Sequence, residues 1–323
     1  MKEKTMNSIP DKGDIKRVAV VGTGVIGASW VAYFLAQGLE VAATDPQPGA
    51  QERLLESVQR HWPGLRASGL APGSSLERLS FHADLEEALQ GADFVQENGP
   101  EREDLKIALF RRMDAALPPH VILASSSSGL LMSTVQSACR HPERVVLGHP
   151  FNPPHVIPLV EVIGGELTSE ATVQRAMAFY AAIGKKPIHP RKEIKGHVAN
   201  RLQAALWREA FHLVEQGVAT TEDIDTAIAY GPGLRWAMMG PFLNLSLSGG
   251  AGGIGHLLEH LGGPIESWWA DLGAPSMTPD LRATITEQVA QQLAGCDPSA
   301  LAAERDALLT SLLAAKTRAT YIP

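Results

Sequence analysis

Arg17-Val-Ala-Val-Val-Gly22-Thr23-Gly24-Val25-Ile26-Gly27 is the stretch that decides the fold. Its first five residues form a short, β-branched apolar run, the pattern of a strand buried on both faces of a parallel sheet. A G-x-G-x-x-G turn follows at once. Ala28 to Gln37 then has helical periodicity and stops at Gly38, a residue type suited to the left-handed C′ position. Leu39 to Thr44 reads as a second strand, and Asp45 ends it, 18 positions past the last glycine of the turn. A lone glycine fingerprint is weak evidence. Strand before, helix after and acid at the next strand end make it a dinucleotide-binding pattern.

The glycines have distinct jobs in such a turn. Gly22 allows the tight bend, Gly24 admits a pyrophosphate close to the backbone, and Gly27 lets helix and strand pack. The helix N-terminus supplies partial positive charge to the phosphates. Gly22 to Gly27, including Thr23, Val25 and Ile26, is therefore the expected cofactor loop. Asp45 is expected to accept from the ribose hydroxyls and to repel a 2′-phosphate. Pro46 and Gln47 offer no cation for such a phosphate. The expected cofactor is NAD rather than NADP.

The strand–helix alternation continues. Helical patterns cover residues 49–66, 85–89, 102–116 and 172–183, and strand patterns cover 79–82, 92–97, 121–124, 145–148 and 159–163. Alternation at this spacing predicts an α/β fold, a Rossmann-type doubly wound parallel sheet. Gly22, Asp45, Glu97, Ser125 and His149 fall at the carboxyl ends of predicted strands, where ligands bind in such sheets. From about Gly196 the pattern becomes helical, with segments at 200–216, 221–229 (Thr221 as N-cap), 280–293 and 300–316. Residues 231–263 hold ten glycines and are expected to be loop-rich. The predicted organisation is a disordered leader (1–14), a dinucleotide-binding domain (15–194) and an all-helical C-terminal domain (195–323).

The chemistry concentrates at His149-Pro-Phe-Asn-Pro-Pro-His-Val-Ile-Pro-Leu-Val-Glu161. The prolines break both helix and central strand, so the segment reads as a turn between two apolar runs. If those runs pair, His149 and Glu161 lie side by side. A carboxylate on one imidazole nitrogen fixes the tautomer and raises the basicity of the other, as a general base for an alcohol requires. A structural histidine near a loop is the ordinary alternative for this spacing alone.

Composition narrows the classes. The 323 residues exceed one typical core, and 45% apolar with 20% charged residues is an ordinary globular balance. A net charge of −7 without a basic block argues against nucleic acid as a partner. No apolar run reaches the roughly 18 residues of a membrane span. Cys139 and Cys296 form no C-x-x-C pair, which fits reduced thiols and a cytoplasmic enzyme. No metal is expected: there is no H-E-x-x-H pair, and His256 and His260 stand four apart in a Gly-rich segment, a spacing that chance supplies.

Together, Gly22–Gly27, Ser128, His149-x-Phe-Asn-Pro, Glu161 and Gly196-x-x-x-Asn200-Arg201 resemble the 3-hydroxyacyl-CoA dehydrogenase superfamily, over nearly the whole chain after residue 14. The resemblance implies that His149 is the general base, that Glu161 orients it, and that Ser128 and Asn200 contact substrate. It also implies Glu101 and Lys106 as the cofactor-site acid and lysine, and a homodimer. Two features depart from the CoA-dependent members. Residues 51–80 contain no lysine for CoA phosphates, and Gly231-Pro-Gly-Leu-Arg235-Trp236-Ala resembles the branch containing L-gulonate 3-dehydrogenase, λ-crystallin and the carnitine dehydrogenases. Arg235 could hold a free substrate carboxylate; a salt bridge is its ordinary role. Within that branch the Pro264-Ile-x-Ser-Trp268-Trp269-x-Asp-Leu run resembles the carnitine dehydrogenases, which implies L-carnitine as the small-molecule substrate; Trp236, Trp268 and Trp269 suit its quaternary ammonium, because aromatic faces accept a cation that cannot donate a hydrogen bond. Packing is the ordinary role of each ring. L-gulonate and 3-hydroxybutyryl-CoA are the alternative substrates, and a crystallin-like structural role is the non-enzymatic one.

Overall fold

The computed structural model describes residue 13 and residues 15–322. The leader expected at 1–14 therefore lies, apart from Gly13, outside the described residues. The chain divides into two compact units between Arg201 and Leu202.

The first unit alternates strand and helix: β1 (Arg17–Val21), α1 (Val25–Ala36), β2 (Glu40–Thr44), α2 (Ala50–Ser68), β3 (Leu79–His82), α3 (Leu85–Leu89), β4 (Phe94–Glu97), α4 (Glu103–Ala116), β5 (Ile122–Ser125), α5 (Met132–Val135), β6 (Val145–Pro150), β7 (Leu159–Gly164), α6 (Glu170–Ala182) and β8 (Lys186–Ile188). The strands form one sheet in the order β3-β2-β1-β4-β5-β6-β7-β8. All neighbours from β3 to β6 are parallel; β6 and β7 run antiparallel, and β7 and β8 parallel again. The expected doubly wound sheet is present. The short β8 carries no apolar run of its own, so the sequence pattern did not reveal it.

Alternation along each strand builds two cores. Val18 and Val20 of β1 point into the layer with Phe34, Phe179 and Tyr180, while Ala19 and Val21 point into the layer with Phe110 and Met113. Burial of both faces explains why these strands are largely apolar. Gln96 is a buried polar residue inside β4. Its amide donates to Ser126 Oγ (2.9 Å) and the Gly148 carbonyl (3.2 Å) and accepts from Tyr180 Oη (2.6 Å). A buried amide so satisfied costs little and pins β4 against β6.

Strand order reverses at β1, which has β2 on one side and β4 on the other. Register brings the carboxyl ends level: Val21 faces Thr44 and Glu97, and Glu97 faces Ser125. The expected crevice at the strand ends follows from this register.

The polypeptide continues through α7 (Ala199–Glu215), α8 (Thr221–Tyr230), α9 (Pro232–Met238), α10 (Pro241–Ser248), α11 (Gly253–Asp271), α12 (Pro279–Gln292) and α13 (Pro298–Arg318). Two expectations need correction here. Thr220, not Thr221, caps α8, in a reciprocal capping box with Asp223. Residues 231–263 are not loop-rich: they hold α9, α10 and most of α11. Many of the glycines mark helix boundaries, at Gly231, Gly240 and Gly249–Gly253, and Pro232 and Pro241 open helices at a first-turn position that suits proline. Glycine count alone misled because most of these glycines stand at junctions, and Gly233, Gly255, Gly262 and Gly263 are accommodated within α9 and α11.

Candidate active site

His149 is the penultimate residue of β6 and faces Glu161 of β7 in the antiparallel register. Both are buried, and His149 Nδ1 lies 2.8 Å from Glu161 Oε2. The other carboxylate oxygen, Oε1, accepts from the backbone N–H groups of Val198 (2.9 Å) and Ala199 (3.1 Å), where α7 begins. Burial by itself would raise the Glu161 pKa. The bond from His149 and the two backbone donors outweigh it and hold the carboxyl below its ordinary range. An ionised Glu161 can only accept, so Nδ1 carries the hydrogen, and in the neutral ring Nε2 keeps its lone pair. The expected dyad is thus formed. Because Glu161 also anchors the first turn of α7, it fixes the backbone that carries Asn200.

A second imidazole stands beside this pair. His197 is 3% exposed, and its ring centroid lies 5.1 Å from that of His149. It is the one non-glycine residue with positive φ (+51°) among those described. Nε2 bonds the Ser127 carbonyl at 3.2 Å, and Nδ1 is buried without a partner among the described residues. Burial, followed by the neighbouring His149, holds its pKa below the ordinary histidine value. The sequence reading missed this residue. The available signal was its place inside Gly196-x-x-x-Asn200, next to a glycine that also has positive φ.

Ser128 is exposed in the turn after β5. Glu101 organises that turn: its Oε1 accepts from Ser127 Oγ (2.6 Å) and Gly129 N (2.8 Å). Lys106 is buried, with Nζ 2.7 and 2.8 Å from the two oxygens of Glu97 and 3.4 Å from the Gly99 carbonyl. Ser125 Oγ donates to Glu97 Oε2 (2.7 Å). Glu97 and Ser125 therefore sit at strand ends as expected, but they face each other and Lys106.

The glycine loop fits a dinucleotide. Gly22 has φ +90°, and a Cβ on Gly27 would lie 1.9 Å from the Gly22 carbonyl oxygen, so neither tolerates a side chain. A Cβ on Gly24 would meet nothing within 4 Å, which leaves the space a pyrophosphate needs. Asp45 Oδ2 accepts from Thr23 N (2.8 Å) and Oδ1 from Gln47 N (2.9 Å), which fixes the carboxylate at the end of β2. Val25 opens α1 and is exposed; Ile26 is partly buried against the core.

Arg235 and Trp236 lie on α9, and Trp268 and Trp269 on α11, all in the helical unit. Arg235 is exposed, and no carboxylate pairs with it among the described residues. Trp268 and Trp269 are 63% and 66% exposed. His256, Glu259 and His260 form the one group of metal-ligand type among the described residues, on the exposed face of α11. No helix among the described residues is long and apolar enough to cross a membrane.

Comparison with known proteins agrees with this geometry. Residues 17–194 match the 3-hydroxyacyl-CoA dehydrogenase NAD-binding domain, and residues 196–272 the C-terminal domain of the same enzymes. An L-carnitine dehydrogenase of Streptomyces coelicolor is 49% identical over 312 residues, covering 94% of this chain and 96% of the relative. That of Bacillus cereus is 48% identical, covering 94% and 93%. The crystal structure of 5-formyl-3-hydroxy-2-methylpyridine 4-carboxylic acid 5-dehydrogenase, an NAD+-dependent dismutase, superposes with a TM-score of 0.82 at 32% identity, covering 95% of this chain and all of that one. With the glycine loop, the His149–Glu161 pair and both family domains in place, the chain belongs to the 3-hydroxyacyl-CoA dehydrogenase family.

Proposed function

We propose that the protein oxidises the 3-hydroxyl of L-carnitine to 3-dehydrocarnitine with NAD+. The observation that carries this reading is the buried His149–Glu161 pair, with Nδ1 held by an ionised carboxylate and Nε2 left to take a proton. The many relatives named L-carnitine dehydrogenase, alike over nearly the full length, supply the substrate.

Gly22 to Gly27, with Thr23 and the N-terminus of α1, would hold the pyrophosphate, and Asp45 the adenosine ribose. NAD+ supplies the hydride acceptor when bound. His149 takes the hydroxyl proton at Nε2, and Glu161 stabilises the imidazolium that results. Ser128 and Asn200 orient the carbinol oxygen. Glu101 fixes the turn that carries Ser128, and Lys106 holds the Glu97–Gly99 segment beneath the cofactor site. Arg235 anchors the substrate carboxylate, and Trp236, Trp268 and Trp269 receive the trimethylammonium group.

We place the domain boundary at residue 194 and assign a homodimer. The helical unit supports dimerisation: Val214, Leu257 and Leu281 are its buried hydrophobic residues among those described, while Trp207, Tyr230, Phe242, Leu247 and Leu308 stay exposed. Two free cysteines fit a reducing compartment, the cytoplasm.

Initial rates of NADH formation with L-carnitine, L-gulonate and 3-hydroxybutyryl-CoA, side by side, test the assignment. L-carnitine should give the highest kcat/KM. A clear preference for either alternative overturns the substrate and leaves the dehydrogenase.

A further inference from the structure

We propose that His197 is a cofactor-binding residue whose Nδ1 accepts a hydrogen bond from the carboxamide –NH2 of the nicotinamide. The inference rests on the reading that places the reacting end of NAD+ against His149.

The tautomer follows from the hydrogen bonds. The Ser127 carbonyl can only accept, so His197 Nε2 carries a hydrogen and donates it at 3.2 Å. The neutral ring then has its lone pair on Nδ1. Burial and the adjacent His149 both disfavour a second proton. The result is an acceptor with no donor among the described residues, on a side chain only 3% exposed. Buried polar groups without partners are rare in folded proteins, because each forfeits its hydration. The backbone adds a second cost. His197 holds φ at +51°, a region that L side chains seldom occupy, and such outliers concentrate at binding and catalytic sites. An unpartnered atom and a strained backbone at one residue, 5.1 Å from the proposed base, point to a ligand donor.

Chemistry selects the donor. L-carnitine has one hydrogen-bond donor, its hydroxyl, and that proton goes to His149. Its trimethylammonium has no N–H and its carboxylate only accepts. The cofactor is the bound group that offers a second donor. Hydride passes from the carbinol carbon to C4 of the nicotinamide ring, so C4 lies near His149. The carboxamide is carried on C3, the adjacent atom, whereas the ribose hydroxyls lie beyond N1 across the ring. A carboxamide –NH2 is thus the cofactor donor nearest the His149–His197 pair.

Calorimetric binding of NADH and of reduced 3-acetylpyridine adenine dinucleotide tests this without turnover. The analogue keeps the carbonyl and replaces –NH2 by methyl. The native protein should bind NADH about 3- to 10-fold more tightly than the analogue, the scale of one neutral hydrogen bond. His197→Phe should bring the ratio close to one. His197→Asn places an amide oxygen near the Nδ1 position, tolerates positive φ, and should restore much of the preference. A native protein that binds both equally overturns the inference, even if the variants fail to fold. So does a His197→Phe protein that keeps the native ratio, since a purely structural histidine would alter Tm but not this discrimination. If His149→Asn is fully active while the His197 results hold, the proposed base is wrong and the carboxamide contact stands.

Discussion

His149 and Glu161 face each other across the antiparallel β6–β7 pair, and Glu161 joins that contact to the start of α7 through its second oxygen. One carboxylate thus sets the tautomer of His149 and the backbone entry to Asn200. Replacing His149 by Asn should leave NAD+ binding nearly intact and lower kcat by roughly 10² or more. Glu161→Gln should lower kcat as well, because the imidazolium loses its counter-charge, and should also lower Tm, because α7 loses a charged acceptor at its N-terminus. Full activity in His149→Asn would show that another group is the base.

Glu161 also predicts an acid limit to stability. Its folded pKa lies below its unfolded value, so the unfolded state takes up a proton first as pH falls. The stabilisation is complete above the ordinary glutamate value of about 4.3 and disappears as pH falls through the folded value. Thermal melts from pH 6 downward should show the gap in Tm between the native protein and Glu161→Gln closing below about pH 4.3. A gap independent of pH would mean that Glu161 is not ionised in the folded protein.

Cofactor choice should follow Asp45, whose carboxylate is held at the end of β2 by the N–H groups of Thr23 and Gln47. A 2′-phosphate there would meet an uncompensated negative charge. The native enzyme should strongly prefer NAD+, and Asp45→Ser with Gln47→Arg should relax or reverse that preference. The ratio of kcat/KM for NAD+ and NADP+ measures it; comparable values for the native enzyme would remove Asp45 from the site.

Much of this was legible in the sequence, for identifiable reasons. Strands buried on both faces are largely apolar, so β1, β2, β4, β5 and β6 announced themselves. The glycine turn is legible because a Cβ at Gly27 collides with backbone. His149 and Glu161 were readable because prolines between two apolar runs force a turn, which makes the pairing a local matter. The rest depends on contacts that no local sequence pattern shows. Lys106 has the residue type of a phosphate ligand, yet it is directed at Glu97. His197 lies 70 residues from its Ser127 partner, and nothing local announces an unpartnered ring nitrogen.

Lys185 shows the same kind of remote contact. Its Nζ sits 3.7 Å from the centroid of the Tyr33 ring and 5.0 Å from that of Trp30, and it bonds the carbonyls of Pro154 and Ile157 (3.2 Å for the latter). It ties the Pro-rich segment after His149 to α1, the helix that follows the glycine loop. Burial lowers its pKa to about 7, although carbonyls and ring faces favour the ammonium. Between about pH 7 and the unfolded value of about 10.4, the unfolded state binds the extra proton, so native stability should rise with pH across that window. Lys185→Met should lack this rise and should lower kcat more than it changes KM for NAD+. Tm measured at pH 6 and pH 9 for both proteins checks the sign; parallel changes would mean that Lys185 stays charged throughout.

The proposed substrate carries a carboxylate and a permanent cation on either side of its hydroxyl, so its two ends can be tested separately. Arg235 is exposed and free of carboxylate partners among the described residues, as an anchor for an incoming carboxylate would be. Arg235→Ala should raise KM for L-carnitine and also lower kcat if anchoring aligns C3 for hydride transfer. Trp268→Leu or Trp269→Leu keeps apolar volume and removes the π face. The expected loss is about 0.5–2 kcal/mol of binding, roughly a 2- to 30-fold rise in KM, for whichever ring receives the trimethylammonium. 3-Hydroxybutyrate separates the two ends, since it keeps the carboxylate and lacks the cation. It should be a poor substrate of the native enzyme, sensitive to Arg235→Ala and indifferent to the tryptophan variants. If the tryptophan variants impair 3-hydroxybutyrate and L-carnitine equally, the rings serve packing or dimerisation, and the cation must be received elsewhere.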